Sequence, residues 1–317
     1  DKDPTYIFSV DISFNSVKSG HAVACIEAIQ TNLCSFPDSA RIGICTYHSS
    51  IQLYQCKTLK KFSHGSKYVE GYGEQQFGVY DCEANDPFPG LPYDDWVVDI
   101  SQHAEYFANL LSKLSDAEFL LKLQPNMFPS GANISTAGTL HKDNYDNGIS
   151  PAASIKLIHH TIKTSKIAHC KVFCFTGGNN NSIKDTFGFI VPREHLVMYG
   201  KQDELLTYTT AEQALKVCKN KDISEGIEVY TKLRDECIAS NVSIDIFQYC
   251  NVQGEYKDIP LYNELCSSTG GMVYMNEGDI TLPFNKNRLT SQLQQAVMKL
   301  AGCDAMLKLR TSLGFTA

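Results

Sequence analysis

The stretch YIFSVDISFNSVKSG, from Tyr6 to Gly20, decides the fold. Its first half is apolar and predicts a strand over Thr5–Ile12 that is buried on both faces. Asp11 begins a short polar turn, after which apolar residues recur at helical spacing until Pro37. A buried strand followed by a helix is the repeating unit of an α/β sheet. Asp11, at the end of the strand, then raises the question of whether this turn binds a metal ion.

Length and composition predict one soluble domain. The chain has 317 residues, of which 43% are hydrophobic, so it can bury a large core. No apolar run approaches the roughly 18 residues of a membrane span. The charged start, DKDP, differs from a signal peptide and leads us to expect a fragment of a longer protein. A formal charge of −7 without a long basic run disfavours nucleic-acid binding. The 12 cysteines form no CxxC pair, which favours reduced thiols in a cytoplasmic protein.

The periodicity along the rest of the chain predicts alternating strands and helices. Two strands joined by a polar turn predict an antiparallel hairpin on an edge of the sheet, over Arg41–Tyr47 and Ile51–Cys56. Further strands are predicted at Lys171–Phe175, Val242–Tyr249, Met272–Met275 and Ala305–Arg310. Helices are predicted at Ile100–Leu114, from Pro151 onward, and at Ile223–Ser240, Leu261–Ser267 and Leu289–Leu300. This alternation indicates a doubly wound, mostly parallel sheet with helices on both faces.

Three long loop excursions interrupt this pattern. They are predicted near residues 57–96, 129–148 and 177–208, and the first contains a short strand at Phe77–Tyr80. Residues 1–317 are otherwise expected to form a single domain.

The turn after the first strand resembles the DxSxS metal signature of von Willebrand A domains. Asp11, Ser13 and Asn15 take its three positions, although Asn15 has no hydroxyl group. A hard cation such as Mg²⁺ would also need a Thr and a second Asp from neighbouring loops. Those positions fall near Asn147 and at Gly177, so the second carboxylate is missing. The preferred interpretation is a degenerate remnant, in which Asp11 and Ser13 cap the next helix or hydrogen-bond the neighbouring loops.

Other motifs favour ordinary structural roles. GISPA around Ser150 is close to a nucleophile elbow, but a helix N-cap followed by Pro151 explains it. A zinc site at His169, Cys170 and Cys174 is disfavoured because the His points away from the two sulfurs on a strand. Asp245 is unusual as a carboxylate inside an apolar strand, for which a satisfied hydrogen-bonding role is more common than catalysis.

A pair of basic residues near the end of the chain is the best candidate for ligand binding. In AMLKLR, alternation places Lys308 and Arg310 on one strand face. Two neighbouring cations can clamp a carboxylate, with Arg310 able to bind in bidentate fashion. An ordinary solvated strand face is the alternative.

Six segments together resemble one protein family in order and spacing: YIFSVDISFNSVKSG, SARIGICTYHSSIQLYQ, LPYDDWVVDI, VYTKLRDECIASNVSIDIFQY, SSTGGMVYMN and GCDAMLKLRTSLGF. The family is the trunk domain of the cargo-adaptor subunit of the COPII inner coat, and the resemblance covers about residues 5 to 315. It implies a von Willebrand A-like fold without a working metal site. It also implies that the chain is one part of a coat protein whose zinc-binding and other modules are absent here, so no cofactor is expected in this part.

The resemblance further implies partners and a location. The trunk would pair with the trunk of the smaller inner-coat subunit, on the cytoplasmic face of the endoplasmic reticulum membrane and on COPII vesicles. Two basic residues on the family's last trunk strand help bind acidic export signals of membrane cargo, and they correspond to Lys308 and Arg310. Lys308 stands where the family more commonly has Arg, so a compact ammonium charge replaces a guanidinium group that could form two parallel hydrogen bonds.

Two functional hypotheses remain from the sequence. The first is a non-enzymatic coat module that selects cargo for transport from the endoplasmic reticulum to the Golgi. The second is a metal-dependent von Willebrand A adhesion module, with a hydrolase on the same sheet a distant third.

Overall fold

The computed structural model describes most of the sheet and the helices that pack on it, in residues 4–48, 50–55, 67–70, 76–83, 87–123, 151–177, 221–250 and 259–299. The strands are β1 (Thr5–Asp11), β2 (Arg41–Tyr47), β3 (Ser50–Gln55), β4 (Lys67–Glu70), β5 (Gln76–Glu83), β6 (Val97–Asp99), β7 (Cys170–Thr176), β8 (Val242–Cys250) and β9 (Val273–Glu277). The helices are α1 (Phe14–Lys18), α2 (His21–Asn32), α3 (Tyr93–Trp96), α4 (Ile100–Leu114), α5 (Ala117–Lys122), α6 (Pro151–Thr164), α7 (Lys221–Ala239), α8 (Ile259–Ser268) and α9 (Pro283–Met298).

All the described strands belong to one sheet, in the order β4-β5-β3-β2-β1-β7-β8-β9, with β6 beside β2. Five neighbouring strands of this order pair in parallel: β2, β1, β7, β8 and β9. On the other side, β3, β5 and β4 add antiparallel strands. The chain therefore builds outward from β1 in one direction and, after α6, outward from β7 in the other, which is the doubly wound pattern.

The sheet separates two apolar cores. Successive residues of β1 point to opposite faces, so Phe8 packs with α2, α4 and α9 while Ile7 packs with α6, α7 and α8. Central strands covered on both faces must be apolar on both, which explains the continuous hydrophobic runs in the sequence. The predicted fold class, a mostly parallel sheet with helices on both faces, is confirmed.

The structure differs from the sequence prediction on the antiparallel side of the sheet. The hairpin of β2 and β3 forms as predicted, but it is not an edge, because β5 and β4 extend the sheet beyond β3. The loop predicted near 57–96 must be corrected accordingly, since it contains β4, β5 and α3. The short strand predicted at Phe77–Tyr80 is confirmed as part of β5. Glycine-rich composition suggested a loop there, whereas the open edge of β3 supplies backbone partners that local sequence does not reveal.

Several predicted features fall outside the described residues. They are the excursion near 129–148, the excursion near 177–208 beyond Gly177, and the predicted strand Ala305–Arg310. The single-domain assignment for residues 1–317 stays a prediction. Among the described helices, none is both long enough and apolar enough to cross a lipid bilayer.

Candidate functional site

The candidate site lies where the chain leaves β1 and β7. These strands are parallel neighbours, with Val10 opposite Phe175, and the sheet grows away from them in opposite directions. Such a reversal of strand order leaves a crevice beyond the carboxyl ends of the strands, where ligands bind in open α/β sheets. Asp11 is the last residue of β1 and Gly177 directly follows β7, so the sheet brings these two predicted residues together.

Asp11 uses both carboxylate oxygens to hold backbone. One oxygen, Oδ1, accepts a hydrogen bond from the amide of Ser13 at 2.8 Å, and Oδ2 accepts one from the amide of Gly177 at 3.1 Å. The residue is only 2% exposed. The carboxylate therefore joins the turn after β1 to the exit from β7, and of its two predicted roles it performs the hydrogen bonding to neighbouring loops.

The other residues of the predicted metal-site remnant add no described hydrogen bond between the loops. Ser13 occupies the N-cap position of α1 but makes no side-chain capping bond, and its buried Oγ has no hydrogen-bond partner in the part of the chain that the structure describes. The predicted capping role of Ser13 is therefore corrected, because its hydroxyl does not reach the amides of α1. Asn15 is half-buried within α1, and Asn147 lies outside the described residues.

Gly177 faces the imidazole of His21 at very short range. A Cβ atom added to Gly177 would lie 2.2 Å from His21 Nδ1 and 2.7 Å from Cγ. Its backbone φ is outside the positive region, so the absent side chain is not required by backbone conformation. The reason for glycine here is space, because the volume that an aspartate side chain would enter is filled by a ring from α2.

The imidazole is held through both of its nitrogens. His21 Nδ1 lies 3.1 Å from Ser16 Oγ, and Nε2 lies 3.2 Å from Cys25 Sγ. Ser16 donates its own proton to the carbonyl of Asp11 at 2.8 Å, so its oxygen can only accept from the ring. The neutral tautomer with hydrogen on Nδ1, accepting at Nε2 from the Cys25 thiol, satisfies every group in this chain of hydrogen bonds.

A stacked tyrosine fixes the plane of the same ring. The rings of His21 and Tyr249 lie 4.8 Å apart and within 7° of parallel. The Tyr249 hydroxyl donates to the carbonyl of Gly278 and accepts from the amide of Ile280 at 3.2 Å. The loop after β9 therefore supports Tyr249, and Tyr249 supports His21.

The electrostatics of the site keep its thiol protonated. Burial raises the pKa of Cys25 well above its usual value, and the nearby charge of Asp11 raises it further. A thiol in this state is a poor nucleophile and a poor metal ligand. Among the described residues, no three histidine, cysteine, aspartate or glutamate side chains are grouped as a metal site would require. The arrangement is suited to holding loops together.

The remaining sequence candidates are dispersed or bonded elsewhere. His169 directs Nδ1 to the carbonyl of Asn241 at 3.1 Å, while Cys170 and Cys174 are buried in the sheet. Asp245 is fully buried and forms an ion pair with Lys171, 3.0 Å between Nζ and Oδ2. Ser150, Lys308 and Arg310 lie outside the described residues.

Sequence reasoning missed two residues that matter here. His21 begins α2, and its spacing of four to Cys25 places both on one helix face, which was the available signal. The contact of His21 with Gly177 has no such signal, because 156 positions separate the two residues in the sequence. The buried role of Lys171 also has no signal in the sequence, because a lysine at the start of a strand is usually solvated.

Comparison with known proteins shows which family model and which relatives this chain is similar to. Residues 1–146 match the family model described as the Sec23/Sec24 trunk domain. Human Sec24C, a protein transport protein, is 22% identical over 99% of this chain, which covers 24% of its length. The Dictyostelium discoideum protein transport protein SEC24 is 24% identical over 99% of this chain, covering 26% of its length. The chain thus spans about a quarter of the curated relatives it matches.

A solved structure supports the same fold. The crystal structure of the human COPII-coat protein Sec24c aligns with 94% of this chain and 33% of its own, with a TM-score of 0.58 and 17% sequence identity. At this identity the likeness concerns the fold alone.

Proposed function

We propose that this chain, whose residues 1–146 match the Sec23/Sec24 trunk-domain model, is the trunk of a COPII coat component that helps select cargo for transport from the endoplasmic reticulum to the Golgi. The observation that carries the proposal is the alignment with Sec24 transport proteins over 99% of the chain. Both carboxylate oxygens of Asp11 accept hydrogen bonds from backbone amides, which agrees with a structural role for this end of the sheet in a protein-binding scaffold.

Within that function, the trunk pairs with the trunk of the smaller inner-coat subunit. The pair acts on the cytoplasmic face of the endoplasmic reticulum membrane, to which it associates peripherally. No cofactor is needed in this part of the protein, and zinc belongs to a module outside this sequence. A pull-down between this chain and the smaller subunit's trunk tests the pairing, and failure to co-purify at low salt contradicts it.

The cargo site on this proposal is the basic pair Lys308 and Arg310. Alternation along AMLKLR puts both cations on one face, and side-by-side cations on a strand suit the carboxylates of an acidic export signal. Lys308 supplies a point charge, whereas Arg310 can form two parallel hydrogen bonds with one carboxylate.

Charge reversal tests the cargo site. Lys308→Glu combined with Arg310→Glu is expected to abolish binding of an acidic export peptide in a fluorescence anisotropy titration, while the melting temperature stays nearly unchanged. The control is Lys122→Glu with Lys232→Glu, which makes the same change in net charge at two exposed helix positions. Peptide binding that survives the first pair, or is lost equally in the control, contradicts the assignment.

The alternative function, a metal-dependent von Willebrand A adhesion module, is favoured by one observation. Asp11 and Ser13 stand in the signature positions, and the Ser13 hydroxyl is buried without a hydrogen-bond partner among the described residues. Against it, both Asp11 oxygens already accept amide hydrogen bonds. Calorimetric titration with Mg²⁺ and Mn²⁺ separates the two: saturable binding that disappears in Asp11→Ala supports adhesion, and no binding heat supports the coat module.

A further inference from the structure

The unusual feature of the remnant pocket is that a side chain fills it. The metal signature considered in the sequence analysis calls for an aspartate at position 177, directly after β7. Here Gly177 contributes no side chain, and the ring of His21, at the start of α2, occupies the space. Its atoms lie 2.2 to 2.8 Å from a Cβ built on Gly177. Real Cβ atoms do not approach other atoms that closely, so His21 and any larger residue at 177 exclude each other.

The ring also makes the connections that a bound ion would make. Through Ser16 it is linked to the carbonyl of Asp11 in β1, and through Cys25 it is linked to the next turn of α2. Its face packs on Tyr249 in β8. It lies against the exit of β7 at Gly177, whose amide is bonded to Asp11. Three neighbouring strands are thus joined around one side chain that is 1% exposed.

We infer that the imidazole of His21 is the internal replacement for a cation at this switch point: it holds the ends of β1, β7 and β8 together and keeps the pocket closed. His21 is a positioning residue, and glycine at 177 is its obligatory partner. The inference rests on contacts within the described residues and is independent of the proposed coat function.

A double-mutant cycle tests the contact between His21 and Gly177. Gly177→Ala in the natural background should raise the unfolding equilibrium constant by roughly ten- to a hundred-fold, the range for overpacking a rigid site. In the His21→Ala background the added methyl group enters vacated space, so the same change should alter that constant by less than about two-fold. Urea unfolding followed by circular dichroism measures all four proteins.

A glycine in open surroundings provides the control. Gly90 has nothing within 4 Å of a built Cβ and no positive φ, so Gly90→Ala should change stability little in either background. If Gly177→Ala is equally harmful with and without His21, the inference is overturned. If Gly177→Ala does not fold at all, recovery of folded protein in the double variant supports the inference, and failure of the double variant overturns it provided His21→Ala itself folds.

A second measurement does not depend on variants. The hydrogen-bond chain requires the neutral ring with its proton on Nδ1, and nitrogen NMR of labelled histidine distinguishes this tautomer from the more common one with the proton on Nε2. A His21 signal of the Nδ1-protonated form supports the inference. A signal of the other tautomer, or of a ring averaging between the two, overturns it, because the ring would then not be held between Ser16 and Cys25.

Discussion

Lys171 and Asp245 form an ion pair inside the protein, with 3.0 Å between Nζ and Oδ2 and side chains that are 5% and 0% exposed. Lys171 also donates to the carbonyl of Ala296 at 2.7 Å, in the last turn of α9. Asp245 accepts from the amide of Met272 at 2.7 Å, just before β9. The pair therefore joins the central strands β7 and β8 to α9 and to the start of β9.

Removing one partner of this ion pair should be strongly destabilising. Lys171→Met leaves the Asp245 carboxylate buried without its cation, and the free energy of unfolding should fall by about 3 to 5 kcal/mol. Urea denaturation measures the loss. The control is Lys286→Met, which breaks a pair with Glu27 whose side chains are 39% and 45% exposed and should matter by less than about 1 kcal/mol.

Replacing both partners should recover part of the loss. Lys171→Met with Asp245→Leu leaves no buried charge, and apolar residues of similar volume often substitute for a buried pair without penalty. A double variant less stable than Lys171→Met alone would show that the Asp245 bond to Met272 outweighs the unpaired charge.

His48 should make stability fall in mild acid. It is buried, and its Nε2 lies 2.7 Å from the Nε2 of Gln52, an amide that can only donate. Burial lowers the pKa of His48 from 6.5 to about 4, although the charge of Asp81 acts in the opposite direction. Because the unfolded chain takes up the proton at higher pH, the stability this residue contributes is complete above pH 6.5 and is lost as the pH falls toward 4.

The size of this effect follows from the same difference in pKa. At about 1.4 kcal/mol per unit, a drop from 6.5 to about 4 amounts to about 3 kcal/mol. Unfolding free energies of the natural protein and of His48→Gln, measured between pH 4 and 7, should converge as the pH is lowered. Parallel curves would show that His48 does not titrate with unfolding.

Gly271 should tolerate no side chain. A Cβ at this position would lie 1.8 Å from the carbonyl oxygen of Ile244 and 2.9 Å from Asp245 Oδ1. The first contact is with backbone in a central strand, which cannot move without disturbing β8. Gly271→Ala is expected to yield no soluble folded protein, whereas Gly90→Ala should express normally; a folded Gly271→Ala protein with an unchanged melting temperature would contradict this.

The described cysteines should differ sharply in reactivity. Cys34 is exposed, and the other eight described cysteines are buried. Burial raises the pKa of Cys45 and of Cys174 to about 12, so almost no thiolate forms at pH 8. Iodoacetamide treatment of the native protein, followed by peptide mass spectrometry, should modify Cys34 and spare Cys45 and Cys174. Rapid modification of Cys174 would indicate that the sheet opens locally.

Local pattern was sufficient for most of the fold. Continuous apolar runs such as that of β1 predict strands covered on both faces. The 3.6-residue period predicts α4 with its observed bounds and α6 from its observed start. Strand and helix in alternation then predict a doubly wound sheet. These inferences succeed because side-chain burial in such a sheet depends on spacing within ten to fifteen residues.

The pairing on the antiparallel side was not predictable in the same way. A short strand was predicted at Phe77–Tyr80, but not β4, nor the pairing of β5 with β3 that brings Gly78 opposite Gln55. What stabilises β5 is the row of free amide and carbonyl groups on β3, and that row exists only once the hairpin has joined the sheet.

By itself, the sequence determined that Asp11 ends a central strand and that a glycine, not a carboxylate, stands directly after β7 at position 177. Only the tertiary structure decided what fills the gap. His21 and Gly177 meet because parallel strands bring their carboxyl ends together, and the exclusion between an imidazole and a Cβ is a matter of distances of 2 to 3 Å between atoms far apart in the chain. Spacing along a chain can specify which faces are buried, but such contacts arise only when the sheet has assembled.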